Sequence, residues 1–256
     1  MATAAAVDAY DVLAPAYETI VAGYDYDRWL AAIEEIALRN GLAGRRVLDV
    51  ACGTGASFAP LLDRGYEVVG SDLSAGMLAR ARERVAGRAV DVHQADMRSL
   101  PDLGRFDVVL CLDDSLNHLL EADDVDLAFA GMARSLAGGG LVVFDVNTLG
   151  ALRGAFSAEW SWEGDEGAVR WRGLGPANLA REGTTAASVS VENGGGAPHT
   201  TLIRERHHPV DRLLRQLFAA RLEPLAVLGQ RRGIRLSPAA DELRDDKILF
   251  FARSRG

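Results

Sequence analysis

Five short runs of apolar and β-branched residues, at 46–50, 66–72, 89–93, 106–112 and 141–147, are separated by stretches with apolar residues at three- and four-residue spacing. Strands joined through amphipathic helices pair in parallel, so this alternation predicts a doubly wound, mostly parallel α/β sheet with helices on both faces. The run Phe106-Asp107-Val108-Val109-Leu110-Cys111-Leu112 lacks polar alternation and reads as a strand buried on both faces. Two amphipathic helices precede the first strand, at 7–21 and 29–42, and Ser74 is the expected N-cap of a helix running through Met77, Leu78, Ala81 and Val85. Val125 to Leu136 is a further helix, with Gly138 to Gly140 as its stop.

After Ala155 the texture changes. Trp160, Trp162 and Trp171 cluster, and 184–191 and 200–207 alternate as half-exposed antiparallel strands do, with Asn193-Gly194-Gly195-Gly196 as a turn between them. A helix at 213–222 and strands at 225–228 and 247–252 follow. The expected organisation is N-terminal helices over a cofactor site (1–45), a cofactor-binding core (46–155), a β-rich insert or cap (156–208) and a C-terminal completion of the sheet (209–256).

The formal charge of −8 disfavours a general nucleic-acid surface. Residues 201–256 hold twelve Arg and Lys against seven Asp and Glu, while the first 200 hold sixteen against twenty-nine, which reads as a solvated basic face. No apolar run approaches the roughly 20 residues of a membrane span, and residues 1–7 lack a signal-peptide pattern, so a cytoplasmic protein is expected. Cys52 and Cys111 read as packed thiols, and no His, Cys or carboxylate set has convincing metal-ligand spacing, so no metal is expected. The single lysine, Lys247, gives Schiff-base chemistry little support, and the adjacent His207 and His208 read as surface residues on a strand.

Within the first repeat, Arg46-Val47-Leu48-Asp49-Val50-Ala51-Cys52-Gly53-Thr54-Gly55 is a strand that ends in an acid and breaks on two glycines. Gly53 and Gly55 permit φ > 0 and leave the main chain open to a ligand, and the helical spacing of Phe58, Leu61 and Leu62 puts the loop at a helix N-terminus. Open parallel sheets bind ligands at the carboxyl ends of their strands. Asp49, Asp72, Asp96, the loop Asp113 to His118, and Asn147 all fall at such ends. A dinucleotide loop would suit Asp72, 19 residues after Gly53, but Phe58 stands where G-x-G-x-x-G places its third glycine. Asp49 beside the loop is also unwelcoming to a pyrophosphate. A cofactor with a cation and an amino group suits the loop better.

Asp49-Val50-Ala51-Cys52-Gly53-Thr54-Gly55, Asp72, Asp96-Met97 and Asp114-Ser115-Leu116-Asn117, in this order over residues 8–150, resemble the motifs of class I S-adenosylmethionine-dependent methyltransferases. Tyr17, Tyr26-Asp27-Arg28-Trp29 and Phe144-Asp145-Val146-Asn147-Thr148 are similar to a branch holding small-molecule and uncharacterised bacterial enzymes. The resemblance implies a seven-stranded Rossmann-like sheet and S-adenosylmethionine as cofactor. It places Gly53, Gly55, Asp49 and Ala51 at the methionine part, Asp72 at the ribose hydroxyls, and Asp96 and Met97 at the adenine. Leu73, Met77, Leu112 and Tyr17 would pack beside the cofactor.

The implied reaction is methyl transfer to nitrogen or oxygen of a small molecule, with a tRNA-modifying enzyme or a non-catalytic cofactor-binding protein as alternatives. His118 is the candidate general base, because imidazole titrates near neutrality. Asp113, Asn117 and Trp160 are candidate acceptor contacts, and Tyr10, Tyr17, Tyr24, Tyr26, Trp160, Trp162 and Trp171 are candidates for an aromatic wall or lid, with core packing as the alternative for these rings. Monomer and homodimer both remain open.

Overall fold

The computed structural model describes residues 9–165, 167–192, 197–231 and 234–255; the turn expected at Asn193 to Gly196 lies outside them. Five parallel strands form the centre: β1 (Arg46–Val50), β2 (Glu67–Asp72), β3 (Asp91–Gln94), β4 (Phe106–Cys111) and β5 (Leu136–Asn147). Antiparallel strands β10 (Leu222–Arg231), β11 (Arg235–Ser237) and β12 (Lys247–Ser254) extend the sheet past β5 in the order β11-β10-β12-β5-β4-β1-β2-β3. The sheet therefore has eight strands where seven are expected. The addition, β11, is a three-residue edge strand too short to carry a hydrophobic period.

Helices cover both faces. On one, α2 (Tyr26–Arg39), α3 (Phe58–Asp63) and α4 (Ala75–Arg84) bury Trp29, Ile33, Phe58, Leu61 and Ala81 against Val47, Val108 and Phe251. On the other, α5 (Ala122–Ser135) and α7 (Val210–Ala219) bury Phe129, Met132, Leu213 and Leu217 against Val109, Phe144 and Phe250. Asp25 and Ser74 cap α2 and α4 by accepting from the Arg28 and Met77 N–H groups.

The expected N-terminal helix is broken: a helical turn at 9–13 passes through a 3-10 turn at Ala14–Ala16 into α1 (Tyr17–Val21). Pro15 lacks the N–H that would continue the α-helical ladder. Gly138 to Gly140 do not stop α5, which ends at Ser135, but form a bulged start of β5. There a Cβ on Gly140 would lie 3.0 Å from the Phe106 carbonyl oxygen.

Beyond α6 (Leu149–Ala155), the chain builds a separate antiparallel sheet of β6 (Glu159–Gly164), β7 (Gly167–Gly173), β8 (Thr184–Glu192) and β9 (His199–Arg206). Its inner face carries Val169, Ala187, Val189, Val191 and Ile203, which pack with Leu13, Met77 and Leu152. The cap thus shares a core with the N-terminal segment and is tied to the carboxyl end of β5.

His207 and His208 are not surface residues; each is 1% exposed. β9 ends at Arg206, so the pair lies in a connection tucked under the loop after β4, where the His208 imidazole donates from Nε2 to the Leu119 carbonyl at 3.0 Å. Burial and neighbouring Arg206 push His208 down to about 4, leaving it neutral. Among the described residues, no helix is long and apolar enough to cross a membrane.

Candidate active site

The strand order reverses between β1 and β4, and a cavity opens at their carboxyl ends. Tyr17, Asp49, Ala51, Gly53, Asp72, Leu73, Met77, Asp96, Met97, Leu112, Asp113 and His118 all line it. In the loop after β1, Ala51, Gly53 and Gly55 take φ of 58°, 55° and 72°. A Cβ on Gly53 would meet nothing within 4 Å, so this glycine leaves an open cradle facing the cavity. Gly55 has a different role: its added Cβ would lie 2.6 Å from the Phe58 ring, and one on Gly70 would lie 2.4 Å from it. Phe58, fully buried, fills the space beneath the loop, and Gly55 does not reach the cavity.

Asp72 accepts the Gly53 N–H at 2.8 Å on one carboxylate oxygen and the Ser74 N–H at 2.9 Å on the other. Each oxygen retains acceptor capacity for one hydroxyl of a vicinal diol. Burial raises the Asp72 pKa, against the pull of those two N–H groups. Asp96 is held by the Arg98 guanidinium, which also bonds Asp124; burial opposes its charge, yet Arg98 keeps its pKa low. The cradle at Gly53, the paired acceptors of Asp72 and the apolar slot of Leu73, Met77, Ala95 and Met97 fit an adenosine bearing no phosphate.

Asp49 lies at the floor, 3% exposed, and accepts the Ser57 hydroxyl. Burial pushes its pKa up to about 7, with Ser57 opposing and Asp72 adding repulsion. The cofactor-free fold binds this proton more tightly than the unfolded chain does, so its contribution falls as pH rises from about 4 to about 7. Asp49→Asn should therefore raise urea-unfolding stability at pH 8 by about 1–2 kcal/mol, with a smaller gain at pH 5. It should also weaken cofactor binding by about tenfold, because the neutral amide no longer attracts an ammonium. Equal stability gains at both pH values would show that Asp49 does not titrate in this range.

The loop after β4 is strained and pinned. Asp113 and Asp114 both lie in the left-handed region, with φ of 60° and 53°. Their N–H groups donate to the two carboxylate oxygens of Asp145, at 2.6 and 3.0 Å, from β5. Lys247 at the start of β12 lies 2.7, 2.7 and 3.1 Å from carboxylate oxygens of Asp113, Asp114 and Asp145. Burial opposes its charge, but these carboxylates outweigh that cost and hold the ammonium protonated well above its ordinary range. Tyr26 donates to Asp113 from α2.

His118 stands where this loop meets the cap and the N-terminal segment. Its Nδ1 donates to the Arg204 carbonyl at 3.1 Å, which leaves Nε2 to accept the Tyr10 hydroxyl at 2.7 Å. Burial lowers its pKa, partly offset by Asp114, so the imidazole is neutral at pH 7.

The structure does not bring Asn117 or Trp160 to the cavity. Asn117, fully buried, donates to the Arg206 carbonyl at 2.8 Å and accepts the Asn147 N–H at 2.9 Å, tying the cap to β5. Trp160 sits on the outer strand of the cap sheet, 51% exposed. Tyr24 packs on Trp29 and accepts from Gln230 instead of lining the cavity. Trp171 donates to the Ala155 carbonyl within the cap.

Sequence reasoning gave no role to Glu205 and little to Lys247. Glu205 did carry a signal: in 199–206 it falls on the same alternating face as Thr201 and Ile203, a carboxylate in the buried phase.

Residues 47–140 match a family model described as a methyltransferase domain. The chain is 36% identical over 123 residues to a dTDP-3-amino-3,6-dideoxy-alpha-D-glucopyranose N,N-dimethyltransferase of Streptomyces fradiae, covering 48% of each protein. Over 186 residues it is 33% identical to a glycine/sarcosine N-methyltransferase of Parasynechococcus marenigrum (strain WH8102), covering 71% of this chain and 65% of that one. The sugar N-methyltransferase KedS8 from Streptoalloteichus sp ATCC 53650 superposes with a TM-score of 0.71 at 25% identity, covering 92% of this chain and 90% of that one. The chain spans about half the length of the curated relatives it matches first. With its switch-point cavity, glycine cradle and ordered strand-end acids, the chain carries a methyltransferase domain over residues 47–140 and is similar to the S-adenosylmethionine-dependent methyltransferases.

Proposed function

We infer that this chain transfers a methyl group from S-adenosylmethionine to nitrogen or oxygen of a small-molecule acceptor. The observation that carries the reading is the continuity of one cavity from the Gly53 and Asp72 cofactor set to the Tyr10–His118 pair. When bound, the cofactor supplies a sulfonium-activated methyl group. Asp72 would hold the ribose hydroxyls, Asp96 and the Met97 N–H would take the adenine, and Leu73 and Met77 would pack against it. Asp49 would compensate the ammonium of the methionine part, and Tyr17 would cover the site from the N-terminal segment.

Charge disperses in the transition state of methyl transfer, so aligning the acceptor and excluding water supply most of the advantage. Tyr10, Tyr17 and Tyr26 form the wall that excludes water. His118 takes a proton at Nε2 through the Tyr10 hydroxyl, which passes its own proton to the imidazole as it receives the acceptor's. Asp113 fixes Tyr26 at the acceptor end. The relatives named above act on an amino sugar and on glycine or sarcosine, which supports a small acceptor, and the acidic surface disfavours nucleic acid. Two unpaired cysteines support a cytoplasmic location.

The test is transfer of labelled methyl from S-adenosylmethionine into a fractionated metabolite extract. Label should enter a small-molecule fraction and not tRNA. His118→Ala should lower turnover by about 10–100-fold while S-adenosylhomocysteine affinity stays within about twofold. Tight cofactor binding with no transfer into any fraction would leave a non-catalytic binding protein instead.

A further inference from the structure

Next to the cavity, the strained loop after β4, the end of β5 and the inner face of the cap bring together four buried carboxyl groups, and burial with mutual repulsion raises the pKa values of Asp114 and Glu205 to about 7. Asp113, Asp114, Asp145 and Glu205 converge on one internal cation, Lys247. Lys247 satisfies one carboxylate oxygen on each of the three aspartates and does not bond Glu205. Glu205 is 4% exposed and comes from the cap sheet, with Oε2 accepting the Asn147 amide at 2.9 Å. Its Oε1 accepts no hydrogen bond from the described residues yet is not sealed from solvent, so it can take a donor that enters.

Glu205 lies beside Asp114 and His118: one ligand atom from each of the three falls within 4.8 Å of the others. In all three side chains the remote heteroatom is already held from behind. Asn147 holds Glu205 Oε2, Lys247 holds Asp114 Oδ1, and the Arg204 carbonyl holds His118 Nδ1. Glu205 Oε1 and Asp114 Oδ2 accept no hydrogen bond from the described residues, whereas the single lone pair of His118 Nε2 takes the Tyr10 hydroxyl, which an arriving N–H would displace. A tetrahedral ammonium with acceptors about 2.8 Å away spreads them about 4.6 Å apart, inside that bound, and a four-coordinate divalent ion at about 2.1 Å would draw them to about 3.4 Å. The molecule already shows the first arrangement next door, in the carboxylate cage around the Lys247 ammonium.

We propose that Glu205, Asp114 and His118 form a cation subsite that receives the ammonium of an amine acceptor, so that Glu205 selects amines over alcohols. The proposal rests on the methyl-transfer reading of the neighbouring cavity, and it narrows the acceptor from nitrogen or oxygen to an amine that arrives protonated. It gives the cap sheet a specific task. Glu205 is the one carboxylate of the subsite that the cap supplies, and Asn117 and Asn147 fix the cap against β5 to hold it there.

The probe is methylammonium chloride, titrated into protein saturated with S-adenosylhomocysteine, with methanol and sodium chloride as matched controls. The readout is the imidazole nitrogen NMR signal of His118, assigned by its loss in His118→Asn. Methylammonium should shift that signal saturably while methanol leaves it in place. Glu205→Gln should weaken the methylammonium response by at least about tenfold, with S-adenosylhomocysteine affinity unchanged. Asp114→Asn provides a second variant should Glu205→Gln fold poorly, and should weaken the response in the same direction.

No shift with methylammonium, or an undiminished shift in both variants, overturns the subsite. Saturation by micromolar zinc that methylammonium cannot displace also overturns it, in favour of a metal site. Loss of S-adenosylhomocysteine binding in the wild-type protein would instead sink the methyltransferase reading itself, so the two failures are distinguishable.

Discussion

Asp72→Ala is expected to weaken S-adenosylhomocysteine binding by about a hundredfold or more in calorimetry while the protein stays folded. The carboxylate projects from the end of β2 with both oxygens already oriented by backbone N–H groups, from Gly53 in the loop after β1 and Ser74 at the start of α4. That orientation is prepaid in the free protein. Two hydrogen bonds from ribose hydroxyls to an ionised carboxylate contribute about 1.5–3 kcal/mol each, and losing both corresponds to at least about two decades in Kd.

The fold should lose far less. The variant exposes two N–H groups to a cavity that water can enter, and it relieves the burial that raises the Asp72 pKa. Those terms oppose each other, so the change in unfolding stability should stay within about 1 kcal/mol. Asp72→Asn keeps one carbonyl acceptor but turns the other oxygen into a donor facing the Gly53 or Ser74 N–H. Its affinity should fall nearly as far as that of the alanine variant. Unchanged affinity in either variant would remove Asp72 from the site and with it the assigned pose of the cofactor.

The parallel half of the fold is legible because β1, β2, β4 and the end of β5 are apolar runs with a polar residue at or just beyond their carboxyl ends, whereas β3, Asp91–Gln94, is a short and largely exposed strand. Periodicity fixed the strands, and their carboxyl ends marked the cavity before any coordinates were needed. The glycine loop is also legible, with Phe58 reading both as an apolar residue of the following helix and as the missing third glycine. Its positive role, filling the volume beneath Gly55 and Gly70, depends on contacts between β1, α3 and β2 that no local pattern encodes.

The antiparallel half was less legible. β10 runs as Leu222–Arg231, half-buried along much of its length, and its sequence shows only a short apolar centre. Asn117 lies in a stretch that looks like polar loop and His208 at what reads as the surface of a strand, yet each is buried by a partner more than 80 residues away in sequence. Glu205 and Lys247 escaped notice for the same reason: their importance lies in which other charges the topology brings to them.

Lys247→Met is expected to produce the largest loss of stability of any substitution considered, about 3–5 kcal/mol at pH 8 by urea unfolding. Asp145 is fully buried and its carboxylate is committed to the N–H groups of Asp113 and Asp114, so it cannot turn to solvent when the ammonium disappears. Asp113 and Asp114 are held in left-handed backbone by those same bonds, and the lysine sits 5.6 Å from the centre of the Trp29 ring in α2. Methionine fills most of the lysine's apolar volume, so the deficit reports lost charge compensation and not an empty space.

Its pH dependence has a definite sign. Without the cation, the three carboxylates bind protons more tightly in the fold than in the unfolded chain, so the variant gains stability as pH falls and the deficit narrows from pH 8 to pH 5. Adding Asp114→Asn removes one uncompensated charge without touching the Asp145 bonds, and should restore about 1–2 kcal/mol at pH 8. A Lys247→Met protein as stable as wild type at pH 8 would mean that these aspartates already carry their own protons. The ammonium would then not be what holds the loop after β4.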